Sequence, residues 1–539
     1  MLIKVTLTII FLVVMVGVGF YSRQQAKSVD GFVLGGRSVG PWLTAFAYGT
    51  SYFSAVVFVG YAGQFGWKYG LSASWIGIGN AIIGSLLAWI VLGRRTKLMT
   101  QHIQSRTMPD FFGTRYGSEG LRVVASIIAF VFLIPYTAGV YMGISKLFEM
   151  GFGIPYSYCA IIMACLTAVY VILGGYKATA INDFIQGIIM LFGITTVIFV
   201  VLQHQGGLAE AVDKMAAAVP TVHDMEDKSG LFSAFRPGDF ASWFGPNPLS
   251  LLGVVVLTSL GTWGLPQMVG KFYSITDECA IKRGTVISTI FALIVSGGCY
   301  FLGSFGRLFP EPAFSPDMHK YAYDSIVPSM LETLPDILIA LVVLLVLSAS
   351  MSTLASLVLT SSSTMTLDLI YRDKKSQDGE VEGGEIDDMV AEKIERRKVV
   401  VMRVLIVFFI VLSLMIALNP PQFIAQLMGI SWGALAGAFL APFMYGLFSK
   451  KITKAAVWTS FVTGVGITVV HMFIFSLGFF PEATKAAASL KLNMASPINA
   501  GAVAMIVGLI VVPLVSSFTK VKDTEYVDKL FAECKSDAE

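Results

Sequence analysis

The stretch Ser259-Leu260-Gly261-Thr262-Trp263-Gly264-Leu265-Pro266-Gln267 decides how this chain must be read. It lies inside residues 241–270, a run without a single Asp, Glu, Lys or Arg. A membrane-spanning helix needs about 20 apolar residues, so the run is long enough to cross a bilayer. Yet two glycines and a proline weaken the helix within it. Backbone groups in hydrocarbon must be satisfied internally, so a weak point at membrane depth needs a reason. Trp263 and Gln267 are four residues apart and share one face of any helical part. Taken alone, a proline kink packed by its neighbours and a polar site account for the pattern equally well.

Working outward, further charge-free runs occupy residues 5–22, 38–67, 69–93, 123–145, 150–176, 184–209, 284–306, 337–367, 404–449, 455–481 and 492–519. The 404–449 run is too long for one crossing, and Asn419-Pro420-Pro421 splits it, because two prolines stop a helix. The reading is an all-α integral membrane protein with about 13 transmembrane helices. The first run is expected to be a spanning helix and not a cleaved leader: only Lys4 precedes it, no small-residue cleavage site follows, and Arg23 and Lys27 come after it. Those basic residues place that end in the cytoplasm and the N-terminus outside. With alternate connections then inside, 28 of the 38 Lys and Arg face the cytoplasm and 10 face out. The expected location is the cell membrane, multi-pass, with the C-terminus cytoplasmic.

The 539 residues are 55% hydrophobic and 14% charged. Soluble proteins carry about 25% charged residues. The deficit excludes a disordered chain, a soluble enzyme and a nucleic-acid binder. Five cysteines and five histidines are scattered, with no disulfide framework and no zinc spacing. No cofactor and no catalytic residues are expected. Residues 210–240 and the charged loop 371–398 are read as solvated linkers.

Two more polar segments lie at membrane depth. Ala47-Tyr48-Gly49-Thr50-Ser51-Tyr52-Phe53-Ser54 in the second helix is either a close-packing stripe or an unwound turn that exposes carbonyls to a cation. Leu347-Ser348-Ala349-Ser350-Met351-Ser352-Thr353-Leu354-Ala355-Ser356 in the ninth helix either bonds its hydroxyls to its own backbone or offers Ser352, Thr353 and Ser356 as a compact oxygen set. Neutral oxygens suit a hard, singly charged cation such as sodium, and they cannot carry a proton as a carboxylate can. The second and seventh helices are five apart. Breaks at matching positions of two halves point to a transporter site. The halves are helices 2–6, residues 41–203, and helices 7–11, residues 248–448. Five helices per half require opposite topology. Around them lie an extra helix (1–22), an outer loop (204–247), two peripheral helices (453–518) and a tail (519–539). Asp183, near the start of the sixth helix, either complements the helix dipole or helps a cation leave through a water-filled cavity.

Several motifs then resemble the sodium/solute symporter family of proline, pantothenate and glucose transporters. They are Phe32-Val33-Leu34-Gly35-Gly36-Arg37 with Gly40-Pro41-Trp42; Leu147-Phe148-Glu149 with Gly153-Ile154-Pro155-Tyr156; and Gly174-Gly175-Tyr176-Lys177-Ala178 with Asn182-Asp183 and Gln186-Gly187. Gly264-Leu265-Pro266-Gln267 follows, then Met351-Ser352-Thr353-Leu354 with Asp368-Leu369-Ile370-Tyr371. The resemblance implies a five-plus-five inverted-repeat core of the LeuT type. It implies a sodium site formed by Thr50, Phe53, Ala349, Ser352 and Thr353, with sodium the only metal. It further implies a second sodium, or an ion-release role, at Asp183 and Ser356.

Substrate class follows from departures within the family. Proline transporters carry an Asp where this chain has Tyr52, and glucose-type members a Glu-Gln pair where it has Val56 and Val57. Tyr52-Phe53-Ser54-Ala55, Gly264-Leu265-Pro266-Gln267 and the nearby Lys271 are closer to the pantothenate and monocarboxylate branch. The expected solute is a small organic carboxylate, with an amino acid such as proline second. Its expected pocket is Tyr52, Ser54, Tyr136, Thr262, Trp263 and Gln267. The expected partners are sodium, this solute and the lipid bilayer, and the expected mechanism is alternating access. A transporter-like membrane sensor without net transport is the alternative. Oligomeric state is not legible.

Overall fold

The computed structural model describes residues 2–536 apart from 227–230, 233–234, 316–319, 333, 372–387, 421–423, 478, 491 and 522. Most of the charged loop 371–398 therefore lies outside the described residues. Among the described residues, ten helices are long and apolar enough to cross a membrane, and the bent pair Pro248–Gly264 and Pro266–Tyr273 makes an eleventh span.

Two of the ten, Val56–His102 and Tyr156–His204, are 47 and 49 residues long. A straight helix of that length would run roughly 70 Å, against a hydrocarbon core of about 30 Å. Each leaves the helical conformation at a glycine. Gly70 has φ 59° and ψ −140°, and Gly175 has φ 55° and ψ −155°. Counting each long helix as two crossings brings the spans among the described residues to the thirteen expected. The described residues are all-α apart from a two-residue ladder, Phe314–Ser315 against Lys320–Tyr321.

Both expected breaks are present. The second span consists of Pro41–Tyr52 and a helix that restarts around Val56, with Phe53 extended between them at φ −111°, ψ 131°. The seventh span tightens into a 3₁₀ turn over Gly261–Gly264. It is extended at Leu265 and restarts with Pro266 in the first turn of Pro266–Tyr273, bent by 45°. Proline suits that first turn because it has no N–H to satisfy there. The ninth span, Asp336–Thr364, runs unbroken between them.

The loop 210–240 is not the solvated linker its composition suggests. It carries the short helices Leu208–Ala217 and Val222–Glu226. Phe232, Phe240 and Asp224 are buried. The reason is Arg307, at the end of the eighth span. Its guanidinium lies 3.9 Å from the Phe240 ring centroid and donates to Asp224 at 2.8 Å and to the Trp67 carbonyl at 2.6 Å. Aromatic faces and a carboxylate together satisfy a cation that would otherwise be costly to bury.

A Cβ added at Gly175 would lie 2.9 Å from the Phe32 carbonyl oxygen, in a backbone region that side chains rarely adopt. Strain of this kind costs about 1–3 kcal/mol. Gly175→Ala is therefore expected to lower the thermal midpoint of the purified protein in detergent. Gly17→Ala, which meets nothing within 4 Å, should leave it unchanged.

Candidate functional site

Extending the chain at Phe53 releases carbonyls from the helical ladder, and the ninth span lies against them. The Thr353 hydroxyl stands 3.1 Å from the Phe53 carbonyl oxygen and 3.1 Å from that of Ala349. The Ser352 hydroxyl donates to Thr50 Oγ1 at 2.8 Å. Ser350 Oγ accepts from the Ala55 N–H at 3.3 Å, across the same break. Thr50, Phe53, Ala349, Ser352 and Thr353, drawn from two spans some 300 residues apart in the chain, thus meet in one buried cluster of neutral oxygens. Such a set matches a hard, singly charged cation.

One helical turn along the ninth span, Ser356 Oγ pairs with Ser51 Oγ at 2.9 Å. Asp183 is fully buried, and its Oδ2 lies 3.7 Å from Lys271 Nζ. The same ammonium donates to Ser356 Oγ at 2.9 Å. Lys271 sits on Pro266–Tyr273, just beyond the seventh-span break. From the sequence it entered only as a branch marker, since it stands at the very end of a charge-free run and reads as the start of a loop. The signal that could have found it is its spacing, one turn after Gln267 on the same helix face.

The residues expected to hold solute divide into two groups. Three are engaged in holding spans together. Tyr52 donates to the Thr258 carbonyl at 2.5 Å, the Thr262 hydroxyl reaches the Gly84 carbonyl at 3.4 Å while bonding the Ser259 carbonyl of its own span at 2.9 Å, and the Trp263 indole donates to the Ile83 carbonyl at 3.0 Å. Of the other three, Tyr136 and Ser54 lie together beside the break, and Gln267 lines a cavity with Lys271. The Tyr136 hydroxyl meets Ser54, the residue that follows the break. Both oxygen and nitrogen of the Gln267 carboxamide are buried without a hydrogen-bond partner.

Sequence reasoning missed Trp432, Tyr61 and Tyr300. The Trp432 ring packs edge-on to Tyr52 and Tyr136, with centroids 6.4 and 5.8 Å away. The phenols of Tyr52, Tyr61, Tyr136 and Tyr300 are mutual neighbours. The Trp432 indole N–H and the Tyr61 hydroxyl are buried and unpartnered. Aromatic residues in an apolar run look like packing, so only the fold distinguishes these.

A cavity lined by Thr107, Tyr176, Gln267, Lys271, Ser356 and Thr360 opens on the face that carries the basic loop around Arg106. On the opposite face, the lid anchored by Arg307 covers the bundle.

Residues 32–464 match the sodium:solute symporter family. The chain belongs to that family. Its similarity to the sodium/proline symporter of Staphylococcus aureus (strain JH9) is 28% identity over 470 residues, 86% of this chain and 84% of that one. In structure it is similar to a Na+-coupled sialic acid symporter in a substrate-bound outward-open state, with a TM-score of 0.69 at 16% identity, covering 96% of this chain and 98% of that one. It is also similar to a nucleobase-cation-symport-1 family transporter in a closed conformation, with a TM-score of 0.50 at 11% identity, covering 93% and 98%. At such identities the structural likeness establishes the LeuT-type fold alone. The symporter is a multi-pass membrane protein that couples sodium to a small solute, and it is a transporter and not an enzyme.

Thr353→Val is expected to lower the stability of the sodium-free symporter by about 1–3 kcal/mol, because the Phe53 carbonyl loses its donor. It should also reduce the gain in thermal midpoint on adding sodium, since ligand stabilisation follows site affinity. Differential scanning fluorimetry with and without sodium measures both.

Proposed function

We propose that this symporter imports a small organic carboxylate with sodium across the cell membrane by alternating access. Sodium is held by Thr50, Phe53, Ala349, Ser352 and Thr353. The observation that carries the sodium site is the convergence of the Thr353 and Ser352 hydroxyls on the broken second span. Sodium replaces those internal hydrogen bonds, locks the ninth span to the break, and so orders Ser54 and Tyr136 for the solute.

The anion reading is supported by unpartnered donors in the core: the Trp432 indole N–H and the Tyr61 hydroxyl near Tyr136, and the Gln267 amide in the cavity beside Lys271. Tyr52 stands where an acid would be wanted to hold an ammonium. The residues proposed for the solute are Tyr52, Ser54, Tyr136, Thr262, Trp263 and Gln267, with Thr262 and Trp263 shaping the pocket from the seventh span. Pantothenate- or monocarboxylate-like solutes fit this reading best. The activity named for the Staphylococcus aureus relative makes an amino acid such as proline the second choice.

The proposed orientation puts the N-terminus outside and the basic loops, with the cavity at Lys271, in the cytoplasm. The proposed inverted repeats are 41–203 and 248–448, and the four-helix bundle rocks to open inward. Asp183 and Ser356 lie between the sodium cluster and that cavity and are assigned to ion release. The membrane potential supplies about 2.3 kcal/mol per charge per 100 mV. A singly charged carboxylate moving with one sodium ion carries no net charge, so that term cancels and accumulation rests on the sodium concentration gradient, about tenfold for each tenfold gradient.

The test is uptake into liposomes of labelled pantothenate, short monocarboxylates, proline and glucose, each with and without an inward sodium gradient. Sodium-driven uptake of an acid is expected; uptake of proline alone would overturn the carboxylate assignment. In the same assay Ser352→Ala is expected to raise the sodium concentration for half-maximal uptake on the order of tenfold, a loss of about 1.4 kcal/mol. Solute affinity should fall with it because coupling is reciprocal. An unchanged sodium dependence would remove Ser352 from the site.

A further inference from the structure

Lys271 is 3% exposed and Asp183 is 0% exposed, on different spans at membrane depth. Ionisable residues there are costly and are kept for function. The geometry around them has the form of an occupied cation site. The Lys271 ammonium faces Asp183 Oδ2 at 3.7 Å and donates to Ser356 Oγ at 2.9 Å. Ser356 in turn bonds Ser51 Oγ at 2.9 Å. The Tyr176 ring lies below the ammonium, with its centroid 5.1 Å away. A carboxylate and two hydroxyls are oxygen ligands of the kind that hold a hard cation. Here the cation at their centre belongs to the protein. Among the described residues neither carboxylate oxygen of Asp183 makes a close hydrogen bond; the Ser352 hydroxyl and the Lys271 ammonium face it, and the ammonium charge is what balances it.

We propose that Lys271 is a built-in cation that fills the place beside Asp183, Ser356 and Ser51 which a second sodium ion would otherwise take, so that the symporter binds one sodium ion per cycle. The sodium cluster at Thr50, Phe53, Ala349, Ser352 and Thr353 contributes only neutral oxygens. With Asp183 and Lys271 cancelling, the empty core carries no net charge, and the core with sodium alone carries that of one ion, which a carboxylate solute then balances. A second sodium would share one carboxylate with the ammonium, and like-charge repulsion at that separation disfavours it. The pair also lets the empty carrier return without moving an unbalanced carboxylate through low dielectric. Lys271 lines the cavity on the basic-loop face. The internal cation therefore stands beside the exit route of the transported one, where its repulsion helps sodium to leave.

This inference rests on the sodium site proposed above. The experiment keeps the two apart by counting ions with sodium alone. Radioactive sodium binding to the full-length protein in lipid nanodiscs is expected to give one ion per chain with a Hill coefficient near one. Lys271→Met should bind two ions per chain with a Hill coefficient above one, because Asp183 then needs an external counter-ion. Lys271→Met combined with Asp183→Asn should return to one, and Lys271→Arg should stay at one. Two ions per chain in the unmodified protein would overturn the proposal whether or not the variants fold. So would a monodisperse Lys271→Met protein that binds one ion with unchanged affinity. Ser352→Ala provides the separation: if it leaves sodium affinity unaltered, the main site is misplaced, while the ion count still decides the role of Lys271.

Discussion

The Phe53 carbonyl is the point on which this molecule turns. A helix that stayed intact through Phe53 would keep that oxygen for its own ladder and offer the ninth span an apolar surface. Because the chain is extended there, the oxygen needs a donor in a medium that supplies none, and the Thr353 hydroxyl is that donor. The same hydroxyl reaches the Ala349 carbonyl, and its neighbour Ser352 bonds Thr50. The break, the ninth span and the oxygen cluster are therefore one structure. None is stable at membrane depth without the others.

The core has a graded electrostatic design. Neutral oxygens hold the mobile ion. One turn nearer the partly open face, a carboxylate and an ammonium cancel each other. Beyond them the cavity is lined by hydroxyls and the unpartnered Gln267 amide. At the far end of the eighth span an arginine is held among aromatic rings and a carboxylate. Charge is thus kept where it can be paired.

Much of this is legible in residue order. Charge-free runs locate the spans, because hydrocarbon tolerates few charges. Glycine and proline at Gly261, Gly264 and Pro266 mark one break, and the small, hydroxyl-rich stretch ending at Ser54 marks the other. Three features were not legible. The loop 210–240 reads as a linker because its aromatics have no visible purpose until Arg307 arrives from another span. Trp432 and Tyr61 read as packing because an aromatic in an apolar run has no distinguishing periodicity. Lys271 reads as the start of a loop because a charge that ends an apolar run ordinarily does.

The sequence by itself determined the all-α membrane class, the thirteen crossings, the two weak points and the types of oxygen available at them. These depend on composition and local backbone preference, which act along the chain. Only the tertiary structure decided which oxygens meet, that Trp263 is spent on joining spans, and that Asp183 already has a cation beside it. Those outcomes depend on contacts between segments far apart in sequence, where an ångström in the approach of two helices decides whether two polar groups bond or face an empty site.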